Sequence, residues 1–312
     1  MFDFLKKRDN VNKEHLLDSF TGQNKIKNSL SIFIKSAKNR KEPLDHILLS
    51  GHPGCGKTTL ANIIANEMQS PIITTMGPQI KNDIDLKFLF LLENNSIVFI
   101  DEIHAIPKKV EEVLYPLIET FTYSLSDGRI VQLPKFTLIG ATTRIGDLSK
   151  PLRDRFGIAL HLDYYTLDDI KHILKNLNII YKLPIDDESY TILADSCKQT
   201  PRLAKHLIQR FRDYSVANNY ELINKEITYK ILNELLIYKY GLTSLDIRYL
   251  TLLNTTFKDR PVGLSTIAGT LMETAETIEN IVEAYLINKQ LIYKSGRGRL
   301  LTTQGKDYLK LI

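Results

Sequence analysis

The chain is poor in cysteine. Cys55 and Cys197 are its two cysteines in 312 residues, too few for a disulfide framework or a four-ligand zinc site. Both are expected to be small apolar fillers or spacers. Long hydrophobic runs are also lacking: stretches such as SIVFIDEI are broken by charge within a few residues, far short of the roughly 20 apolar residues a bilayer span needs. The opening MFDFLKKRDN has neither an apolar signal core nor a small-residue cleavage site, so a cytoplasmic protein is expected. Strong charge imbalance is missing too. Lys and Arg total 41 against 36 Asp and Glu, a net charge of +5, too modest to demonstrate nucleic-acid binding, so the placement of charge matters more than its sum. There is no internal repeat and no low-complexity segment. What remains, 43% hydrophobic and 25% charged, suits a soluble globular protein, and the length calls for two or three domains.

The strongest positive signal is GHPGCGKTTLANIIANEM, from Gly51 to Met68. It matches the phosphate-loop pattern G-x-x-x-x-G-K-S/T. Gly51, Gly54 and Gly56 let the backbone wrap so that N–H groups, including those at Cys55 and Gly56, point at an anion. Lys57 would neutralise phosphate charge and Thr58 would offer a hydroxyl to Mg²⁺. The flanks fit as well. HILLSG is an apolar run of buried-strand type, and Leu60, Ile63, Ile64 and Met68 recur at helical spacing. The plain alternative, a glycine-rich turn, explains less.

Short apolar runs alternate with helical segments from Glu14 to about Tyr165, which means a largely parallel sheet covered on both faces. The first dozen residues look like a loose basic arm, either a solvated tail or a phosphate-tracking arm. After DYYT the strands stop. Thr166 with Asp168 and Asp169 looks like a helix start, and helical pattern continues to about Tyr240. From Gly241, three helical segments precede the strand-like LIYKSGRGRLLTT, a winged-helix order. The expected fold is therefore α/β, with a nucleotide domain at 1–165, a small helical domain at 166–240 and a winged-helix domain at 241–312.

SIVFIDEIH puts Asp101 and Glu102 directly after an apolar strand, at the edge where ligands bind in open α/β sheets. An Asp there can hold Mg²⁺ through water and a neighbouring Glu can polarise a water against the γ-phosphate, whereas a lone pair of acids would be a helix cap. His104, a little further on, is expected to be structural or a surface group. FTLIGATTR ends another strand at Thr143, which either bonds the attacking water or γ-phosphate or merely caps the next turn. PLRDRFG holds two arginines. One can act as an arginine finger on a neighbouring subunit's nucleotide, or form a surface ion pair with Asp154.

Taken in order, GHPGCGKTTLANIIANEM, VFIDEIH, FTLIGATTR, PLRDRFGI, DYYT, TPRLAKHLIQRFRDY and GRGR resemble the RuvB family, the AAA+ motors that drive branch migration of Holliday junctions. The resemblance runs from about Phe20 to the end. It implies a homohexameric ring that binds ATP with Mg²⁺ at subunit boundaries, pumps duplex DNA in recombination and repair, and works with RuvA-like and RuvC-like proteins. Carried over by position, it implies that Gly54, Lys57 and Thr59 contact phosphates and Thr58 serves Mg²⁺. Asp101 and Glu102 take the metal and water roles, Thr143 is the strand-end sensor and Arg155 the finger. Tyr165 would lie against the nucleotide, and Arg202 would be a lid arginine sensing the γ-phosphate. Two departures stand out. TYSLSDGRIVQLPKF is several residues shorter than the hairpin with which the family docks RuvA, with Ser126-Asp127-Gly128 as its turn. Lys13-Glu14 stands where the family has an Arg-Pro pair.

Lys294, Arg297 and Arg299 lie in YKSGRGRLL, a basic turn suited either to phosphate contact without sequence readout or to being a solvated hairpin. The resemblance puts DNA contacts at Lys294 and Arg299. The competing reading is an AAA+ switch of clamp-loader or initiator type, which remodels a DNA-bound assembly without translocating. A binding module with a dead ATPase is disfavoured, because Lys57, Asp101, Glu102, Arg155 and Arg202 are all present.

Overall fold

The computed structural model describes residues 16–125, 128–258 and 260–311. The basic arm, Lys13-Glu14, and Ser126-Asp127 of the hairpin turn lie outside them. The chain divides into two compact units, the first ending at Asp169 and the second running from Ile170.

The first unit is built on five parallel strands: β1 (Ile47–Gly51), β2 (Ile72–Met76), β3 (Ile97–Asp101), β6 (Thr137–Thr142) and β7 (Ile158–Leu162), in spatial order β2-β3-β6-β1-β7. β1 and β6 are buried along their whole length, as expected of interior parallel strands with both faces covered. Covering helices are α1 (Asn24–Arg40), α2 (Lys57–Met68), α3 (Lys108–Glu119) and the single turn α4 (Lys150–Arg153). Leu86, Val98, Ile103, Leu114, Leu138 and Phe156 belong to one core cluster. Of the helices, α3 shows the clearest sequence logic: Val110, Leu114, Leu117 and Ile118 recur at helical spacing and are buried. The segment DIDLKFLFL folds as a 3₁₀ helix over Asp83–Leu91, started by a capping box between Asn82 and Asp85. A short antiparallel hairpin, β4 (Thr122–Ser124) with β5 (Ile130–Gln132), leaves the end of α3.

His46 ties the start of β1 to two neighbours. Its Nε2–H donates to the Ile118 carbonyl (2.9 Å) and its Nδ1 accepts from the Leu138 N–H (2.8 Å), so both nitrogens are committed to the neutral ring. Burial lowers its pKa, partly offset by the Ile118 carbonyl and Asp45. The unfolded chain therefore takes up this proton first, and the contribution of the neutral ring is whole above the ordinary pKa of 6.5 and is lost as pH falls below it. Urea midpoints measured at pH 7.5 and 5.5 should show a smaller pH difference for His46→Gln than for the parent. An unchanged difference would assign the slope to other groups.

The second unit begins within α5 (Leu167–Tyr181), whose start is capped by Thr166 and Asp169 in reciprocal bonds. α6 (Asp187–Asp195), α7 (Pro201–Asn218) and α8 (Lys225–Glu234) follow. Next come α9 (Ser244–Thr255), α10 (Leu264–Leu271) and α11 (Ala275–Thr277), which runs through a π-helical stretch (Ile278–Glu283) into α12 (Ala284–Asn288). The hairpin β8 (Ile292–Ser295) with β9 (Gly298–Leu301) and α13 (Thr303–Leu309) complete it. β9 also bridges Val262 through Arg299, giving the wing a third extended edge.

Helical and winged parts are joined inside this unit by a buried ion pair. Lys198, just before α7, meets Asp246 of α9 at 2.6 Å, the side chains 10% and 1% exposed. The same carboxylate oxygen accepts from the Thr243 N–H and hydroxyl. Gly241 sits between the two parts at φ +72°, and a Cβ there would come within 2.5 Å of the Ser196 carbonyl oxygen, so glycine is required by both conformation and space.

Candidate functional site

The sheet order places β1 beside β6 and β6 beside β3. Register sets Ser50 level with Thr142 and Ile100 level with Gly140, so the phosphate loop, Asp101-Glu102 and Thr143 leave the same carboxyl edge. Gly51, Gly54 and Gly56 have φ of +141°, +82° and +98°, which lets the loop turn its amides inward and enter α2 at Lys57 with the positive end of that helix toward the cradle.

Lys57 is buried, its ammonium donating to the carbonyls of Gly51 (2.8 Å) and His52 (3.2 Å). Burial lowers its pKa, while Glu102, Cys55 and Asp101 pull it back. Thr58 and Thr59 are exposed in the first turn of α2. The Thr58 hydroxyl donates to Asp101 Oδ2 at 3.4 Å. Glu102 has a left-handed backbone (φ 48°) and its N–H donates to Asp101 Oδ1. Thr143 donates to Glu102 Oε2 at 3.2 Å. The residues expected to hold metal, water and γ-phosphate are thus brought together.

Cys55 is buried and its thiol is pushed up to about 11 by burial, so it is an inert part of the loop wall. Tyr165 is 2% exposed, and its hydroxyl donates to the Cys55 carbonyl at 3.0 Å. It therefore grips the loop backbone from behind. Phe20 backs the same loop: a Cβ on Gly56 would fall 3.3 Å from its ring.

Arg155 is half-buried. Its Nε lies 3.1 Å from Glu119 Oε1, its guanidinium carbon 4.2 Å from the Tyr115 ring centroid, and one terminal nitrogen donates to the Pro151 carbonyl. The ion pair is with Glu119 of α3, where sequence spacing suggested Asp154. Arg202 is exposed in the first turn of α7, behind Pro201, in the second unit.

The basic turn of that unit divides its cations. Arg297 is exposed at the tip, while Lys294 and Arg299 are drawn into carboxylates of the helix beneath. Arg299, 15% exposed, donates through Nε and one terminal nitrogen to the fully buried Glu283, and Lys294 meets Glu279 (2.9 Å) and Glu283 (3.1 Å). Tyr249 donates to Glu283 as well. The hydrogen bond from Lys294 holds the Glu279 carboxyl below its usual pKa.

Sequence reasoning passed over Arg144 and expected His104 to be structural or a surface group. The His104 side chain is 5% exposed and lies 3.2 Å from Glu102, 2.9 Å from Thr142 and 3.1 Å from Arg144 Nε. The available signal was position: one residue follows the carboxylate pair by two places, the other follows Thr143.

An all-oxygen pair, Thr58 with Asp101, suits a hard divalent cation. Among the described residues no group of three or more His, Cys, Asp or Glu side chains is placed to hold a metal, so phosphate and water would have to complete such a site.

Three family models match in succession: "Holliday junction DNA helicase RuvB P-loop domain" over residues 13–162, "RuvB AAA lid domain" over 165–237 and "RuvB C-terminal winged helix domain" over 239–310. The chain is 42% identical over 300 residues to the Holliday junction branch migration complex subunit RuvB of Mesomycoplasma hyopneumoniae, covering 94% of each. It is 41% identical over 304 residues to that of Neorickettsia sennetsu, covering 95% of this chain and 92% of the relative. Among solved structures, the RuvB Holliday junction branch migration motor of Thermotoga maritima superposes with a TM-score of 0.88 at 40% identity, covering 95% of this chain and 97% of that one.

Proposed function

This chain belongs to the RuvB family, and from that premise we propose that it is an ATP-hydrolysing motor that drives branch migration of Holliday junctions in recombination and repair. The observation that carries the hydrolytic part is the convergence of Lys57, Thr58, Asp101, Glu102 and Thr143 on one sheet edge.

The loop amides and Lys57 hold the β- and γ-phosphates, with the ammonium exchanging the Gly51 and His52 carbonyls for phosphate oxygens. Gly54, Cys55 and Gly56 contribute backbone, and Thr59 reaches a phosphate from the start of α2. Mg²⁺, held by Thr58 and by Asp101 through water, would neutralise charge developing on the phosphates. Glu102 accepts a proton from the attacking water and Thr143 fixes that carboxylate. Arg155 serves the site of a neighbouring subunit, which makes a homohexameric ring the working form. Arg202 senses the γ-phosphate from the lid, and Tyr165 holds the loop that the nucleotide occupies.

DNA contact rests on the wing. Arg297 leads it, Lys294 adds charge at the rim, and Arg299 keeps Glu283 neutralised so that the hairpin stays formed. Such contacts grip phosphates without reading sequence. RuvA-like and RuvC-like proteins are the expected partners, with the short β4–β5 hairpin as the altered docking point, and the cytoplasm is the expected place. Among the described residues no helix is long and apolar enough to cross a membrane.

The test is migration of a synthetic four-way junction with ATP and Mg²⁺, with and without a RuvA-type protein, using the parent and Arg297→Ala. The parent should migrate the junction. The variant should bind duplex more weakly, with the slope of log affinity against log salt shallower by about 1. Phosphate release stimulated by DNA without any migration would favour the clamp-loader or initiator type of switch, and an unchanged salt slope would place the DNA elsewhere.

A further inference from the structure

We infer that His104 is a positioning residue for Glu102, holding the carboxylate in its working orientation while Arg144 holds the imidazole. The inference rests on Glu102 being the group that activates water.

Proton placement follows from the donors. The Arg144 guanidinium can only donate, so the Nε2 it meets at 3.1 Å is the bare nitrogen and the ring proton is on Nδ1. That nitrogen faces Thr142 Oγ1 at 2.9 Å and Glu102 Oε2 at 3.2 Å. Arg144 also fixes the far side of the ring indirectly, because its backbone N–H donates to the same Thr142 hydroxyl at 2.9 Å. A single residue therefore sets both the tilt of the imidazole and its tautomer. Thr143 donates to Glu102 Oε2, and the protonated face of the imidazole lies 3.2 Å from the same oxygen beside its own hydrogen bond to Thr142, so a hydroxyl from the end of β6 and a ring dipole from the turn after β3 meet at one carboxylate oxygen. The other oxygen is left to accept the proton of a water.

The arrangement has the attributes of a held general base. His104 is 5% exposed in a short 3₁₀ turn (Ile103–Ala105), so its ring has little room to reorient. Glu102 itself has a left-handed backbone, a costly conformation that surrounding contacts must maintain. Without the ring, the carboxylate would keep Thr143 as a partner but lose the second direction that defines its plane. A displacement of about 1 Å at a catalytic group can cost on the order of a hundredfold in rate.

The conservative replacements separate the two roles of the ring. Asn places an amide N–H near the position of Nδ1, whereas Gln places its amide near Nε2 and leaves the Glu102 side without a donor. In the full chain with Mg²⁺ and duplex DNA, His104→Gln should lower kcat by about tenfold or more with KM and fluorescent-nucleotide affinity within about twofold, and His104→Asn should recover to within about threefold of the parent. Arg144→Met should fall between them, since the ring keeps its place but loses its fixed tautomer. Parent-like kcat in His104→Gln, or equal losses in Asn and Gln, would overturn the inference. So would nucleotide affinity falling in step with kcat. If His104→Gln does not fold, an unaltered kcat in Arg144→Met would overturn it. Glu102→Gln run alongside tells the two levels apart: hydrolysis surviving in it removes the role of Glu102, whereas hydrolysis lost in it but intact in His104→Gln removes only the positioning role.

Discussion

Lys57→Ala is expected to abolish hydrolysis and to weaken ATP binding by roughly a hundredfold, about 3 kcal/mol, the worth of one or two charge-assisted hydrogen bonds. Lys57 is 7% exposed and its ammonium is already seated among the loop carbonyls. The phosphate therefore meets a charge that is desolvated and aimed in advance, which is why one atom group carries so much of the binding. Burial works against the charged form, but Glu102 and Asp101 sit close enough to oppose that. Lys57→Arg should not rescue, because a planar fork does not fit a pocket shaped for a compact ammonium. Titration with a fluorescent ATP analogue checks the prediction, and affinity within threefold of the parent would refute the assignment of the loop.

Arg155→Ala should leave nucleotide affinity nearly intact and lower hydrolysis by about a thousandfold or more, the usual worth of an arginine finger. Within its own subunit the guanidinium lies against Glu119 and the Tyr115 ring. The side chain is 23% exposed, so it is tethered near the surface, and as a finger it would have to exchange the Glu119 contact for a neighbour's phosphate. Removing it deletes transition-state stabilisation in the next subunit and spares the loop of its own. Mixing the variant with the parent should depress activity more steeply than dilution alone. Mixing it with Lys57→Ala should regenerate some hydrolysis from two inactive proteins, because the finger of one then faces the intact loop of the other. A variant that hydrolyses normally by itself, or mixtures that follow simple dilution, would remove Arg155 from a neighbour's site.

Much of the first unit was legible because its chemistry is local. The phosphate loop needs its glycines, lysine and threonine in one short stretch, and Asp101-Glu102 and Thr143 each end an apolar run that could only be an interior strand. β2 was not legible. It is the sheet edge, its residues are half-exposed, and PIITTM is too short to show a period. The 3₁₀ conformation of Asp83–Leu91 escaped for a similar reason, since its apolar content marks burial without fixing the helix type. In the wing the failure was of another kind. GRGR announces cations, but whether a cation faces solvent depends on what lies beneath. The carboxylates that engage Lys294 and Arg299 come from Glu279 and Glu283 on a helix whose packing no spacing reveals. Likewise His104 gains its meaning from Arg144, brought beside it by the pairing of β3 with β6.

The Lys198–Asp246 pair has a consequence for anyone who cuts or exchanges parts of this protein. The order of segments places the seam near Gly241, and a terminal fragment begun there would keep Asp246 in the first turn of its first helix while leaving Lys198 behind. A carboxylate stripped of its buried partner costs about 3–5 kcal/mol, enough to unfold a small piece. Grafting the wing onto another lid would meet the same obstacle unless a lysine came with it. A fragment meant to keep this pair therefore opens at Thr166, so that Lys198 and Asp246 stay in one piece.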